Sequence, residues 1–191
     1  MTSILKVDNL QDASGTGTPY IKGAVLQTVV QQEDGATSFT ASGTNDVIML
    51  ASNAGDSTSH LSLSITPKSV NSKILLTSCV FHEVNNTGSH STLWSFYRDS
   101  TKLSAPIAGS RRSGIGQTAM GFYTADAAST PDVANYYYYD SPNTTSALTY
   151  AVSFNNTADD TVLYLNRTVT DSDSNGYERG ISILIAQEIG G

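Results

Sequence analysis

In "HLSLSITP", residues 60–67, apolar and polar positions alternate without a break. Leu61, Leu63 and Ile65 point one way and Ser62 and Ser64 the other, as in a strand with one face in a core. Pro67 ends it, because proline cannot donate to a sheet ladder. The same texture runs from Val25 to the end of the chain. "VLQTVVQQ" is followed by the turn "EDGATSF", and "DVIML" is a short apolar strand. "SKILLTSCVFHEV" is long and apolar at both parities, as a central strand covered on both sides would be. "TLWSFYRDST" and "KLSAPIAGS" follow. "NYYYYDSPNTTSALTYAVSFNN" holds two strands around the turn "SPN".

This pattern predicts about eight to ten short strands. The weak helical candidate, "GIGQTAMGFYTADAAST", is undercut by its glycines. The expected fold is all-β: a jelly-roll-like antiparallel β-sandwich with a short extended N-terminal arm. Residues 1–26 form the arm, whose "SGTGTPYIKG" is too punctuated for a long element. Residues 27–191 form the sandwich.

"DSDSNG" is the one motif that suggests an ion. Asp171, Asp173, Asn175 and Gly176 match the first, third, fifth and sixth positions of an EF-hand loop. The twelfth position is Ser182, whose hydroxyl cannot replace the closing bidentate carboxylate. The flanks, "TVLYLNRTVT" and "ISILIAQEI", alternate like strands. Ile181, Ile183, Ile185 and Ile189 share one face of the second. Ser182, Leu184, Ala186 and Glu188 share the other. The stretch therefore reads as a hairpin loop in which Asn175-Gly176 supplies a positive φ.

Composition narrows the function. Serine and threonine make up roughly a quarter of the chain, above ordinary usage, which suits strands with a wet face or closely packed subunits. A net charge of -7 argues against a nucleic-acid surface. No run is long enough to insert in a membrane, and "MTSILKVDNLQDASG" lacks the apolar core of a secretory signal. The sequons at Asn85, Asn143, Asn155 and Asn166 are then read as turn residues.

Catalytic furniture is sparse. Cys79, the single cysteine, sits in an apolar run and reads as a buried inert thiol; His82 lies on the opposite strand face. His60, His82 and His90 show no metal spacing. Gly114, Gly116 and Ala119 fit a loose dinucleotide motif without the strand–helix context it needs. A carboxylate pair for glycoside cleavage could involve Asp159, Asp160, Asp171 or Asp173, but spacing gives it no support. No cofactor or metal is expected, and no enzyme.

"NYYYYD" stands out. In a strand, Tyr136 and Tyr138 face one way and Tyr137 and Tyr139 the other. Tyrosine faces suit glycans as well as subunit interfaces. Together with the basic pair Arg111 and Arg112, read as a solvated loop, these tyrosines are the candidate recognition surface or subunit interface.

"SKILLTSCVF", "WSFYRDSTKL", "YYDSPNTTSALTYAVSF", "LYLNRT" and "RGISILIAQEI" occur in that order. The ordered set resembles the C-terminal β-domain of tail fibre and virion structural proteins of tailed phages, especially phages of aquatic bacteria. "SILKVDNLQDASG" is similar to the short N-terminal arm of such proteins. Residues 104–134 match nothing in the pattern and could carry a host-specific surface. The resemblance implies a virion part made in the host cytoplasm, a homotrimer and a short tail fibre. Its arm would dock on other virion proteins through Ile4, Leu5, Val7 and Leu10. Its β-domain would meet the host surface, with a cell-surface glycan as a possible partner. The alternatives are a head fibre or capsid decoration protein, and a polysaccharide-cleaving fibre. The last normally carries a long repetitive β-helix that this chain lacks.

Overall fold

The computed structural model describes residues 22–55, 60–85, 91–118, 128–157 and 161–191. Twelve strands form among them: β1 (Val25–Glu33), β2 (Thr37–Thr40), β3 (Val47–Ile48), β4 (Ser62–Ile65), β5 (Lys73–Val84), β6 (Leu93–Arg98), β7 (Thr101–Leu103), β8 (Gly116–Gln117), β9 (Asp132–Asp140), β10 (Leu148–Asn155), β11 (Val162–Leu165) and β12 (Ser182–Ile189). One helical turn, α1 (Ala51–Ala54), follows β3. The helical candidate instead contributes strand β8, and its residues 119–127 lie outside the described residues.

The pairing is nested. β1 lies beside β12, β4 beside β10, β5 beside β9 and β6 beside β7, all antiparallel. The first long strand thus pairs with the last, and each inner strand with its counterpart. This is the pairing of a long hairpin rolled up on itself, the jelly roll. Rolling sorts the strands into two sheets, β1-β12-β5-β9 and β4-β10-β6-β7. β2 and β11 prolong the first sheet, and β3 and β8 the second. The strands around "SPN" form as expected, but β9 and β10 fall in different sheets. Asn143 there takes φ 54°, which suits a turn asparagine.

The first sheet begins earlier than the expected boundary. Gly23 N–H donates to the Gly190 carbonyl (2.7 Å), and β1 starts at Val25. Residues 23–26 therefore belong to the sheet, because the C-terminal strand supplies their partners. Ile4, Leu5, Val7 and Leu10 lie outside the described residues.

The core fills the space between the sheets. Leu61, Leu63 and Ile65 of the alternating stretch are buried in it. Trp94, Phe96, Phe154, Tyr150 and Phe39 are its largest buried side chains. Trp94 Nε1 donates to Thr118 Oγ1 (2.5 Å), so the indole hides no orphan donor. Gly116 allows the Tyr136 ring to lie where a Cβ would project, and Gly114 admits Leu93 in the same way. These two glycines serve close packing, not a phosphate.

Buried polar groups join the elements. Asp140 on β9 accepts from Arg98 Nη1 on β6 (2.8 and 3.0 Å) and from the Tyr150 hydroxyl on β10 (2.7 Å). One carboxylate thereby links both sheets. Burial, and then the bond to Asp140, holds the Tyr150 phenol protonated far above its ordinary range. Glu188 accepts from Lys68 N–H (2.7 Å) and Gln27 Nε2 (2.6 Å). Glu83 accepts from Thr130 N–H (2.8 Å) and Val169 N–H (2.7 Å). Glu33 accepts from Gly35 N–H (2.7 Å) and faces His60 Nδ1 at 3.2 Å. Each buried glutamate pins a loop.

β11 and β12 do not form the expected hairpin with each other. Both pair with β5, β12 along Lys73–Cys79 and β11 along His82–Val84. Asn166 sits where one gives way to the other, with φ 60°. Its amide donates to the carbonyls of Glu33 (2.8 Å) and Gly35 (3.0 Å). Its Oδ1 accepts from Ser182 Oγ (2.6 Å), and Ser182 Oγ accepts from Phe81 N–H (2.9 Å). Asn166→Ala leaves these buried groups unpaired and puts a Cβ-bearing residue without a local hydrogen bond at positive φ. Urea unfolding should record a loss of about 3 kcal/mol; a loss under about 1 kcal/mol would show that the junction carries no weight.

His82 is buried against Trp94, ring centroids 4.9 Å apart. Its Nδ1 donates to the Val80 carbonyl (3.1 Å), and its Nε2 has no partner. Burial pushes its pKa down to about 4, which outweighs the Val80 bond. An unfolded histidine takes up a proton near pH 6.5, and the folded one resists until about pH 4. Stability contributed by the neutral ring is therefore present above pH 6.5 and drains as pH falls toward 4, by up to about 3 kcal/mol. Melting curves across this window should show that slope in the parent and a flatter one in His82→Asn. Equal slopes would assign the acid sensitivity elsewhere.

Candidate functional site

The register of the first sheet gives its outer face directly, because paired residues share a face. One row across the sheet is Val30, Ile185, Thr77 and Tyr137. On one side of it lies Thr28, Gln187, Leu75 and Tyr139; on the other, Gln32, Ile183, Cys79 and Asn135. Phe81 and Val133 extend the surface at one end, and Val25, Ile189 and Lys73 at the other. Lys73 is the only charged side chain in these rows.

β12 is turned opposite to what its hydrophobicity suggests. Ser182, Leu184, Ala186 and Glu188 are fully buried, while Ile183, Ile185 and Ile189 look outward and stay half-exposed. Ser182 and Glu188 can face inward because the contacts at Asn166, Lys68 and Gln27 satisfy them. β5 is central, as expected, but only its inner face is in the core. Leu75, Thr77, Cys79 and Phe81 remain half-exposed on the outer side. Cys79 is correspondingly half-exposed, not buried as its apolar surroundings implied. His82 does lie on the opposite face, so the two form no thiol–imidazole pair.

Eight large apolar side chains are well exposed among the described residues. Six of them, Val25, Val30, Val133, Tyr137, Tyr139 and Ile181, belong to or border this face, so exposure is concentrated and not scattered. The tyrosine run splits as its alternation predicts. Tyr137 and Tyr139 project outward at 65% and 58% exposure, while Tyr136 and Tyr138 pack against the core. Beside Tyr139, an open cleft of about 540 Å³ is lined by Lys22, Lys73, Asn71, Asn143 and Ile189.

The basic pair is elsewhere. Arg112 is half-buried, and its Nη1 donates to the Ser91 carbonyl and Asn155 Oδ1, both at 2.8 Å. Asn155 in turn donates to Asp46 (2.6 Å), which also receives Lys102 Nζ (2.9 Å) and the Tyr97 hydroxyl (2.8 Å). Arg112 thus belongs to a structural network on the second sheet, because the β10 end offers it acceptors. Arg111 is exposed, and its guanidinium donates locally to the Ala108 carbonyl (3.3 Å). The six candidate residues do not form one surface. The corresponding face of the second sheet differs: Ser62, Ser95, Ala151 and Ser153 are buried there, Tyr97 and Thr149 are half-buried, and Ser64 is exposed.

"DSDSNG" is a loop without the expected glycine geometry. Positive φ occurs at Gly23, Gly43, Gly55 and Gly109 among described glycines, and Gly176 is not one of them. The turn is closed instead by Tyr177 N–H to the Ser174 carbonyl (3.2 Å) and by a bridge between Arg167 and Arg179. Asp171 faces Arg179 Nη2 at 2.6 Å, so its carboxylate is engaged by a guanidinium. Among the described residues no three of His, Cys, Asp or Glu gather as a metal site. Asp159, Asp160 and His90 lie outside them.

Neither protein-family models nor characterised proteins yield a match to this chain.

Chelation should leave the melting temperature within about one degree. Asp171→Asn should cost at most about 1 kcal/mol, as for an exposed ion pair. Gly176→Val should stay within about 0.5 kcal/mol, since open space surrounds the site and φ is ordinary. A chelator-induced fall of several degrees would restore the cation reading.

Proposed function

We propose that the chain is a bacteriophage virion structural protein. It is a short, trimeric tail fibre whose N-terminal arm attaches to the particle and whose β-domain meets the host surface. The observation that carries this reading is the outer face of β1-β12-β5-β9, which is broad, apolar and almost uncharged. Soluble monomers rarely leave such a contiguous patch to water, whereas subunits of a permanent assembly need one. Jelly rolls recur in viral capsid and lectin domains, which are packing and adhesion roles. Fold alone does not set function; the ordered motifs resembling phage fibre domains supply the rest. The reading assigns binding, not catalysis, to the domain.

The test is made on purified particles. The protein should co-purify with them, and an antibody raised to residues 27–191 should label the tail and slow adsorption to cells. Absence of the protein from washed particles would sink the virion reading. Label confined to the head would move the protein to a decoration role.

A further inference from the structure

We infer that the outer face of β1-β12-β5-β9 is the self-association surface of this protein, and that its occupants are the same faces of the other copies, turned toward one common axis. This deepens the subunit reading by naming the surface and rests on it only for the expectation of an assembly.

Three observations select a copy of this chain. The first is charge. The chain carries 17 acidic residues against 10 basic ones, yet none of the acidic ones lies in the rows of this face. A basic foreign partner would find nothing complementary there, and an acidic one only Lys73 at one end of the rows. Two copies can meet through it without bringing their negative charges together. The second is size. Four strands about 4.8 Å apart, followed for the eight steps from Lys73 to Phe81 at about 3.4 Å each, span roughly 500 Å² in projection. The accessible area of a corrugated face is larger than its projection. It thus comes near the roughly 800 Å² per partner of a stable interface. The third is anatomy. Ile183, Ile185 and Val30 form an aliphatic centre, and Tyr137 and Tyr139 stand along one margin. Thr28, Gln32, Gln187 and Asn135 can exchange hydrogen bonds with their counterparts. An apolar core with tyrosines and paired polar groups is the composition of a protein–protein interface.

The face also contains its own reporter. Cys79 sits in the row with Gln32, Ile183 and Asn135, and it is the only thiol in the chain. Contact between copies should shield it.

The experiment measures mass by light scattering and alkylation of Cys79 by a maleimide, on the full chain at about 20 µM, well above the dissociation constants of stable assemblies. The parent should run as a multiple of 20.2 kDa with slow alkylation. Val30→Glu and Tyr137→Glu change outward side chains and should leave a folded 20.2 kDa species, with alkylation at least tenfold faster. Ile107→Glu, at an 81% exposed position away from this face, should change neither reading. Circular dichroism verifies that each variant keeps its strands; if one face variant unfolds, the other carries the test.

An assembly that survives both face variants, or breaks with Ile107→Glu, overturns the assignment of the face. A monomeric parent with a reactive Cys79 overturns self-association. A monomeric parent with a shielded Cys79 also overturns it and points to residues 1–21 of the same chain as the cover. These outcomes are separable from the virion reading. A particle-bound protein that is monomeric in solution would spare that reading and sink this one, and an assembly broken by Val30→Glu but absent from particles would do the reverse.

Discussion

Every strand of a two-sheet sandwich has two faces, and only one of them can lie between the sheets. The choice made by β12 governs much of this fold. Its isoleucine face would seem the natural interior, yet Leu184 and Ala186 occupy the core, flanked by Ser182 and Glu188. A slip of one residue would exchange the faces completely. It would also strip Asn166 of its Ser182 partner and leave Lys68 N–H without Glu188. The polar ends of the buried face therefore fix the register, and the hydrophobic middle merely fits. Burying two satisfied polar side chains adds little net stability by itself. What it supplies is discrimination against the alternative register.

The same logic runs through the other buried carboxylates. Asp140 joins β9 to β6 and β10, and Glu83 holds the loops at Thr130 and Val169. A jelly roll needs such ties because its chain crosses repeatedly between sheets, and each crossing leaves backbone N–H groups without ladder partners. An ionised carboxylate accepts several of them at once. Few charged residues occur in this chain, and several of the acidic ones are used for this purpose inside it, not for solubility outside.

This division explains what was legible in the sequence. Period-two alternation placed Leu61, Leu63 and Ile65 inward and separated Tyr136 and Tyr138 from Tyr137 and Tyr139, because alternation is a local property. The all-β jelly roll followed from strand count and turn chemistry. The orientation of β12 did not follow, since it depends on partners more than a hundred residues away, such as Lys68 and Gln27. Nor did the end-to-end placement of β11 and β12, which turns on one asparagine at positive φ. Asn175-Gly176 carried a strong local signal for a tight turn, whereas the chain reverses there through a wider loop closed by the Arg167–Arg179 bridge. Arg112 read as a surface charge because nothing local announces its acceptors on Ser91 and Asn155. A low charge density with β-branched residues at both parities of a strand was the one available hint of a second apolar face.

Serine and threonine serve the two sheets differently. On β4, β6 and β10, Ser62, Ser95 and Ser153 are buried, with Ser153 Oγ donating to the Ser95 carbonyl, while the exposed Ser64 bonds with Thr149. On β1 and β5, Thr28, Gln32 and Thr77 interrupt the apolar outer surface without adding charge, and Lys73 stands only at its end, as suits a face whose centre is buried without an unpaired ion. If copies meet through the first sheet, the surfaces left for a host receptor include the β7–β8 connection with Ile107 and Arg111. The tyrosine run would then do two jobs from one strand. Tyr136 and Tyr138 anchor the core, and Tyr137 and Tyr139 present their rings outward. The rigidity that the inner pair imposes on β9 is what would let the outer pair meet a partner at a fixed geometry with little ordering cost.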